Sequence, residues 1–219
     1  MSRKWIAPLV ALLMAVAVVV AWGSLPELVP THWGPSGEAD GWGSRSSLFI
    51  LPAVALGLWA LFWLLLRLGP RHENLERSRE TWWLVANCSV LMLAVVHFAQ
   101  LAAGLGWRVD VARLVMVASC FLIIAIGNYL PRLKPNWWMG IRTPWTLESD
   151  EVWRETHRTG GRWMVIGGIL AVPAVFLPAP TNLHVFMAIL VGVSLAAVIY
   201  SYVLWRRLRG DDRSHAQSS

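Results

Sequence analysis

Six stretches without Asp, Glu, Lys or Arg run along the chain, separated by polar segments: Trp5–Trp22, Ser47–Leu66, Trp82–Leu105, Leu114–Leu130, Trp163–Leu177 and Leu183–Trp205. The first has 18 residues. At 1.5 Å per residue a helix of that length reaches roughly 27 Å, close to the hydrocarbon thickness of a bilayer. The pattern predicts an all-α polytopic membrane bundle of six transmembrane helices. Trp22 stands where a signal-peptide cleavage site needs a small residue, so the first stretch is read as a retained span. The fifth is short and carries Gly167, Gly168 and Pro173, so an interrupted helix is expected there.

Composition agrees with this pattern. Of 219 residues, 56% are hydrophobic and 15% are charged, against about 25% charged in soluble domains. Cys88 and Cys120 both lie inside apolar stretches, so no disulfide framework or CxxC pair is present. The net charge of +6 might suggest a nucleic-acid partner. The basic residues, however, flank the apolar stretches, and with alternating spans 16 of the 19 fall on one side. That side is expected to be cytoplasmic, with both termini on it and no direct contact to nucleic acid. Arg45, Arg108 and Arg113 are left on the outer side.

Tryptophan placement follows the same frame. Trp5, Trp22, Trp82, Trp107, Trp163 and Trp205 fall near span ends, where an amphipathic ring anchors at the interface. Trp59 and Trp63, inside the second span, are expected to pack against the bundle. The expected organisation is residues 1–67 (first span, outer loop, second span), residues 82–206 (four spans with a central cytoplasmic loop, 131–162) and a polar, frayed tail, 207–219.

Two polar segments are far richer than a connection needs. The outer loop reads L-P-E-L-V-P-T-H-W-G-P-S-G-E-A-D-G-W-G-S-R from Leu25. Its prolines and glycines make it turn-rich, with Asp40-Gly41 as a turn signal. His32, Glu38 and Asp40 match no metal motif, so no metal is assigned and the loop is read as a compact lid. In that lid, His32 and Asp40 are expected to bond the backbone. Trp33 and Trp42 are anchor-type residues for a partner from outside.

The central loop carries Asn136, Gly140, Arg142, Thr143, Pro144 and Trp145, and then a segment, Leu147–Thr159, that reads as a short helix. Thr146 is its expected N-cap, Gly160-Gly161 its stop, and Asp150–Arg154 a supporting ion pair. Arg142 among Trp137, Trp138 and Trp145 suggests cation–π stacking. Trp153 and His157 share one helical face, free to lie on the bilayer or on the bundle. The loop is either a seal or a docking platform. In the third span, His97 and Gln100 lie one turn apart and are expected to bond across helices. No charged residue lies deep in a span, against a charge-driven pump. GxSxG and HExxH are absent, and no cofactor or enzymatic activity is expected.

The run N136-W-W-M-G-I-R-T-P-W-T-L-E-S-D-E-V-W-R-E-T-H-R-T-G-G resembles the signature of the SdpI family. The outer segment from Leu25 resembles the small domain of unknown function that often precedes it. The resemblance implies an integral membrane immunity protein. Its partners would be the lipid bilayer, a secreted membrane-active peptide toxin outside, and a cytosolic transcriptional repressor inside. It carries no catalytic residues over. The rival readings are a transporter or channel for a peptide or small molecule, which needs a continuous polar cavity to mid-membrane, and a membrane-embedded enzyme.

Overall fold

The structure, a computed structural model, describes residues 3–68 and 71–217, with side chains up to Gly210. The last two residues of the expected polar tail and the side chain of Arg213 lie outside the described residues. Eight α-helices are described: α1 Ile6–Ala21, α2 Ile50–Leu65, α3 His72–Arg77, α4 Arg79–Gly104, α5 Val111–Tyr129, α6 Pro144–Glu148, α7 Asp150–Ala174 and α8 Thr181–Gln217. Five elements are long and apolar enough to cross a membrane: Arg3–Ser24, Arg45–Leu65, Arg79–Gly104, Val111–Arg132 and Thr181–Gly210. The last, at the start of α8, is continuous with a helix that runs on to Gln217, so the tail is helical to that residue rather than frayed.

The helices pack in a row. α1 and α2 meet each other and α4; α4 packs on α5, α5 on α7 and α7 on α8. Ala7, Ala11, Met14, Ala55, Val90 and Ala94 form the core between α1, α2 and α4. Met116, Cys120, Ala171, Val175 and Phe186 form a second core between α5, α7 and α8. The outer surface stays apolar, with Val20, Phe121, Leu195 and Ile199 all exposed. Apolar groups gain nothing by leaving a lipid solvent, so small residues and hydrogen bonds must hold the helices together.

Glycines do this between α5, α7 and α8. A Cβ added to Gly161 would lie 2.6 Å from the Gly127 carbonyl oxygen, and one at Gly168 2.6 Å from Ile124 Cγ1. One at Gly167 would meet Val193 Cγ2 at 2.6 Å. These contacts correct the expected break at Gly160-Gly161. α7 runs unbroken from Asp150 to Ala174, because close helix contacts repay the glycines' intrinsic cost. Pro173 sits in the last turn of α7 and interrupts nothing upstream. The charges of the first half of α7 explain why it is not among the five apolar elements.

The turn-rich segment is not all-α. Leu28–Trp33 (β1) and Ala39–Ser44 (β2) pair antiparallel, with Val29 opposite Gly43 and Pro30 opposite Trp42. Asp40-Gly41 lies within β2 and is not the turn. The turn is at Gly34–Glu38, where the Gly37 N–H donates to the Gly34 carbonyl at 2.9 Å and Gly37 has φ +84°. Gly41 faces β1, where a Cβ would approach His32 Cβ to 2.8 Å. The hairpin's inner face buries Val29 with Leu25, Val18, Leu48 and Leu101, over one end of α1 and α4.

Two tryptophans depart from their expected roles. Trp82 is buried and donates from Nε1 to the Phe62 carbonyl at 3.0 Å, which makes it a core residue and not an interface anchor. Trp63 is exposed under the Arg67 guanidinium, 3.8 Å from the ring centroid, and does not pack inward. Trp59 does pack, donating to the Lys4 carbonyl at 2.8 Å.

Candidate functional site: a knotted loop and two cavities

The loop between α5 and α7 is built on Asn136. This side chain is fully buried. Its Oδ1 accepts the backbone N–H groups of Trp138 and Met139, both at 2.8 Å. Its Nδ2 donates to the carbonyls of Lys134 and Met139, at 2.9 and 3.1 Å. One amide thus satisfies four backbone groups in a segment with no helix or sheet to satisfy them. Flanking residues moor the loop to α3 and α4. Asn74 donates to the Pro135 carbonyl at 2.9 Å, the Lys134 N–H to Ser78 Oγ at 3.0 Å, and Trp138 Nε1 to the Leu68 carbonyl at 2.9 Å.

Gly140 and His157 form the next contact. His157 is buried, and its Nδ1 donates to the Trp153 carbonyl at 2.8 Å. That donation leaves Nε2 as an acceptor, and it takes the Ile141 N–H at 3.0 Å. The ring stacks on Trp153, centroids 3.9 Å apart, and Trp153 Nε1 donates to the Leu133 carbonyl at 2.9 Å. Gly140 has φ +117°, and a Cβ there would strike His157 Nε2. His157 lies before Trp163, where the charge-free half of α7 begins. Burial pushes its pKa from 6.5 down to about 4, against a smaller upward pull from the Trp153 carbonyl. Its neutral form is therefore the working form at neutral pH. Val152, Trp153, Thr156 and His157 are all buried, so this face lies on the bundle and not on the bilayer.

Thr143 and Ser149 cap the two short-range helix starts. Thr143 caps α6 in a reciprocal arrangement with Thr146, and Ser149 Oγ accepts the Val152 N–H at the start of α7. The expected N-cap, Thr146, is thus the third residue of α6. The chain turns at Ser149 instead, between α6 and α7. Pro144 occupies the first position of α6, where a missing N–H costs nothing. Trp145 Nε1 donates to the buried Ser201 hydroxyl of α8, and Thr143 Oγ1 lies 3.4 Å from the same oxygen. Glu148 accepts from Trp205 Nε1 and Arg209, both at 3.0 Å. α6 therefore clamps α8.

Two charge contacts differ from expectation. Asp150 pairs with Arg71 at 3.0 Å, a partner 79 residues earlier, and not with Arg154. Arg142 does not stack on an indole: its NH1 donates to the Trp138 carbonyl at 3.3 Å. The cation–π contacts among the described residues are made elsewhere, for instance by Arg45 over Trp22 and Arg209 over Trp205.

A cavity of about 390 Å³ lies behind this loop. Its wall is mostly aliphatic, from Val85 of α4, Ile126 of α5, Met164 of α7 and Val193 and Val198 of α8, with Arg142 and Thr143 among the lining. A second cavity, of about 610 Å³, opens at the opposite end of the bundle, beneath the hairpin. Thr31–Gly37 face the starts of α5 and α8 across it, and Asp110, Arg113, Ser119 and Asn182 give it polar groups.

Of the four hairpin residues singled out in the sequence, His32 and Trp33 line this second cavity. Asp40 hydrogen-bonds the His32 ring, and the two do not bond the loop backbone as expected. Trp42 is exposed and lies outside the cavity wall. Glu38 does not join His32 and Asp40, and no group of three or more potential metal ligands occurs among the described residues. His97 bonds across helices as expected, to the Met14 carbonyl of α1 at 3.1 Å, whereas Gln100 donates to the Pro30 carbonyl of β1 at 3.2 Å and not to a helix. Sequence reasoning missed Ser201 and Gly127, which look ordinary in an apolar stretch and acquire their roles from partners far along the chain, Trp145 and Gly161.

Comparison with known proteins places this architecture. The SdpI/YfhL protein family model matches residues 132–204, which hold the Asn136 knot, the His157 contact and the clamp on α8. A domain of unknown function (DUF1648) matches residues 9–56, which include the hairpin. The immunity protein SdpI of Bacillus subtilis (strain 168) is 25% identical over 214 residues, covering 96% of this chain and 99% of that one. An uncharacterized protein of Archaeoglobus fulgidus is 56% identical over 36 residues, 16% of this chain and 20% of its own. No solved structure matches. With its similarity to the immunity protein SdpI and five apolar helices, the chain is a multi-pass membrane protein.

Proposed function

We propose that the protein confers immunity to a secreted, membrane-active peptide toxin. The observation that carries this reading is the 25% identity to the immunity protein SdpI along 96% of the chain, through the hairpin region and the SdpI region alike. In this reading the charge-free part of α7 from Trp163 onward is a further crossing, the fifth in chain order, both termini and the α5–α7 loop with the charged start of α7 are cytoplasmic, and the hairpin faces outside. The basic residues support it, since 16 of 19 then lie inside. Residues 1–67 and 82–206 act as two units.

The toxin meets the protein at the hairpin, where His32, Trp33, Asp40 and Trp42 surround or adjoin the wider cavity. That cavity lies between the hairpin and the starts of α5 and α8, so an occupant touches both units at once. Binding favours one packing of the bundle over another, and this is the only way a ligand shifts such an equilibrium. At the other end, Asn136, Gly140, Arg142, Thr143, Pro144, Trp145, Trp153 and His157 form the responding surface, which offers or withholds a docking face for a cytosolic repressor. A transporter instead needs one polar passage, and the two cavities share no lining residue.

The test is survival of a toxin-sensitive host expressing the chain. Protection above an empty vector is expected. Survival equal to the empty vector across a panel of such toxins, with the protein present in the membrane, would remove the reading. Arg142→Ala is expected to abolish protection or signalling without loss of membrane insertion, and full protection by that variant would reduce the loop to a structural plug.

A further inference from the structure

We propose that the cavity behind the α5–α7 loop is a binding site for an anionic phospholipid, with one acyl chain inside it and the headgroup on Arg142. The wall supplies the first half of the argument. Val85, Ile126, Leu130, Leu133, Met164 and Val193 present hydrocarbon, and no Asp or Glu lines the space. Its volume of about 390 Å³ lies at the lower end of the range of roughly 300–1,000 Å³ for ligand sites. A mostly apolar space of this size suits an alkyl chain better than a polar solute.

Access supplies the second half. α4 and α8 are not among the helix pairs that pack in the row, yet both line the cavity, with the loop residues Met139–Thr143 on its wall. Ser194 and Val198, on the α8 wall, are exposed on the same surface that shows Leu195 and Ile199 to lipid. A chain from the surrounding leaflet enters laterally without crossing the loop.

Charge decides the headgroup. Arg142 is exposed at the rim, and its recorded hydrogen bond is to a neutral carbonyl. Arg71, Arg158 and Arg209 at this end are paired with carboxylates, and Arg142 is the arginine that lines the cavity. A guanidinium without such a partner, beside the Thr143 segment and over an apolar slot, matches a phosphate attached to an acyl chain. Basic pockets between helices at the cytoplasmic face are the setting in which anionic headgroups are held. This site differs from the hairpin cavity in position and ligand, and its test does not depend on the immunity reading.

The experiment is native mass spectrometry of the detergent-purified full chain with added phosphatidylglycerol or phosphatidylcholine. The intact protein is expected to retain phosphatidylglycerol in preference to phosphatidylcholine. Arg142→Ala is expected to lower phosphatidylglycerol retention roughly five- to tenfold, the loss of about one interfacial charge contact, with Arg142→Lys recovering part of it. Val198→Trp, which fills the lateral entrance from an exposed position, is expected to lower retention of both lipids. Arg132→Ala, at a basic residue held over Tyr129 and not on the cavity wall, is expected to change nothing. Equal retention of the two lipids by the intact protein, or phosphatidylglycerol retention unaltered in both Arg142→Ala and Val198→Trp, would overturn the proposal. Thermal unfolding of each variant in the same detergent separates lost binding from lost fold.

Discussion

Gly140 and His157 show how much of this loop rests on single atoms. Gly140 has φ +117°, and the space a Cβ would fill belongs to His157 Nε2. Gly140→Ala is expected to destabilise the protein by at least about 2 kcal/mol, through backbone strain and the displaced imidazole together; calorimetry in detergent measures it. Asn136→Ala strands two backbone N–H donors and two carbonyls around a buried side chain, and is expected to cost roughly 2–4 kcal/mol. His157 adds a pH dependence. Its folded pKa, about 4, lies below its ordinary 6.5, so the unfolded chain binds more protons between those values. Stability is therefore full above about pH 6.5 and falls as pH drops towards 4. A melting series against pH is expected to lose this component in His157→Gln, and an unchanged slope in that variant would assign the dependence to another group.

At the scale of elements, α7 joins a charged, capped segment to an apolar one without a break. Gly161 and Gly127 carry the contact that makes this possible, each placed where a Cβ would meet the other's carbonyl oxygen. Gly161→Leu is expected to separate α5 from α7 and lower stability by more than about 2 kcal/mol. Gly57→Ala, in α2 with open space around it, is expected to stay within about 0.5 kcal/mol of the parent. A change in Gly161→Leu no larger than that in Gly57→Ala would show that the close contact with Gly127 does not hold the two helices. This junction was also where the sequence misled most. A glycine pair after a polar helix has the signature of a C-terminal stop, and only a neighbouring backbone at van der Waals distance turns it into a crossing point. Asp150 teaches the same lesson: a neighbour at i+4 was available, yet Arg71 from α3's approach takes the carboxylate.

For the whole molecule, the decisive quantity is which end faces which solution. The hairpin and the α5–α7 loop lie at opposite ends of the helix bundle, and the proposed topology puts a bilayer between them. Single-cysteine variants at Ser36 and Arg154, with Cys88 and Cys120 replaced by Ala, are expected to label oppositely with a membrane-impermeant maleimide in intact cells. Cys at 36 reacts from outside, and Cys at 154 only after lysis. Labelling of both from outside would discard the relay between the two ends.

The sequence by itself determined the membrane class, the register of the apolar helices and the two segments that carry polar chemistry. Charge-free length and basic flanks are local properties, and burial in lipid rewards them wherever the chain later packs. It also located His32, Trp33, Asn136, Arg142 and His157 as residues of interest, since polar and aromatic groups are conspicuous against an apolar background. The tertiary structure alone decided what those residues touch. The hairpin's register, the continuity of α7, the stacking of Trp153 on His157 beneath Gly140, and the partition of space into two cavities all depend on atoms brought together from distant positions. Hydrogen bonds and close contacts act over a few ångströms of space, and separation along the chain does not encode that distance.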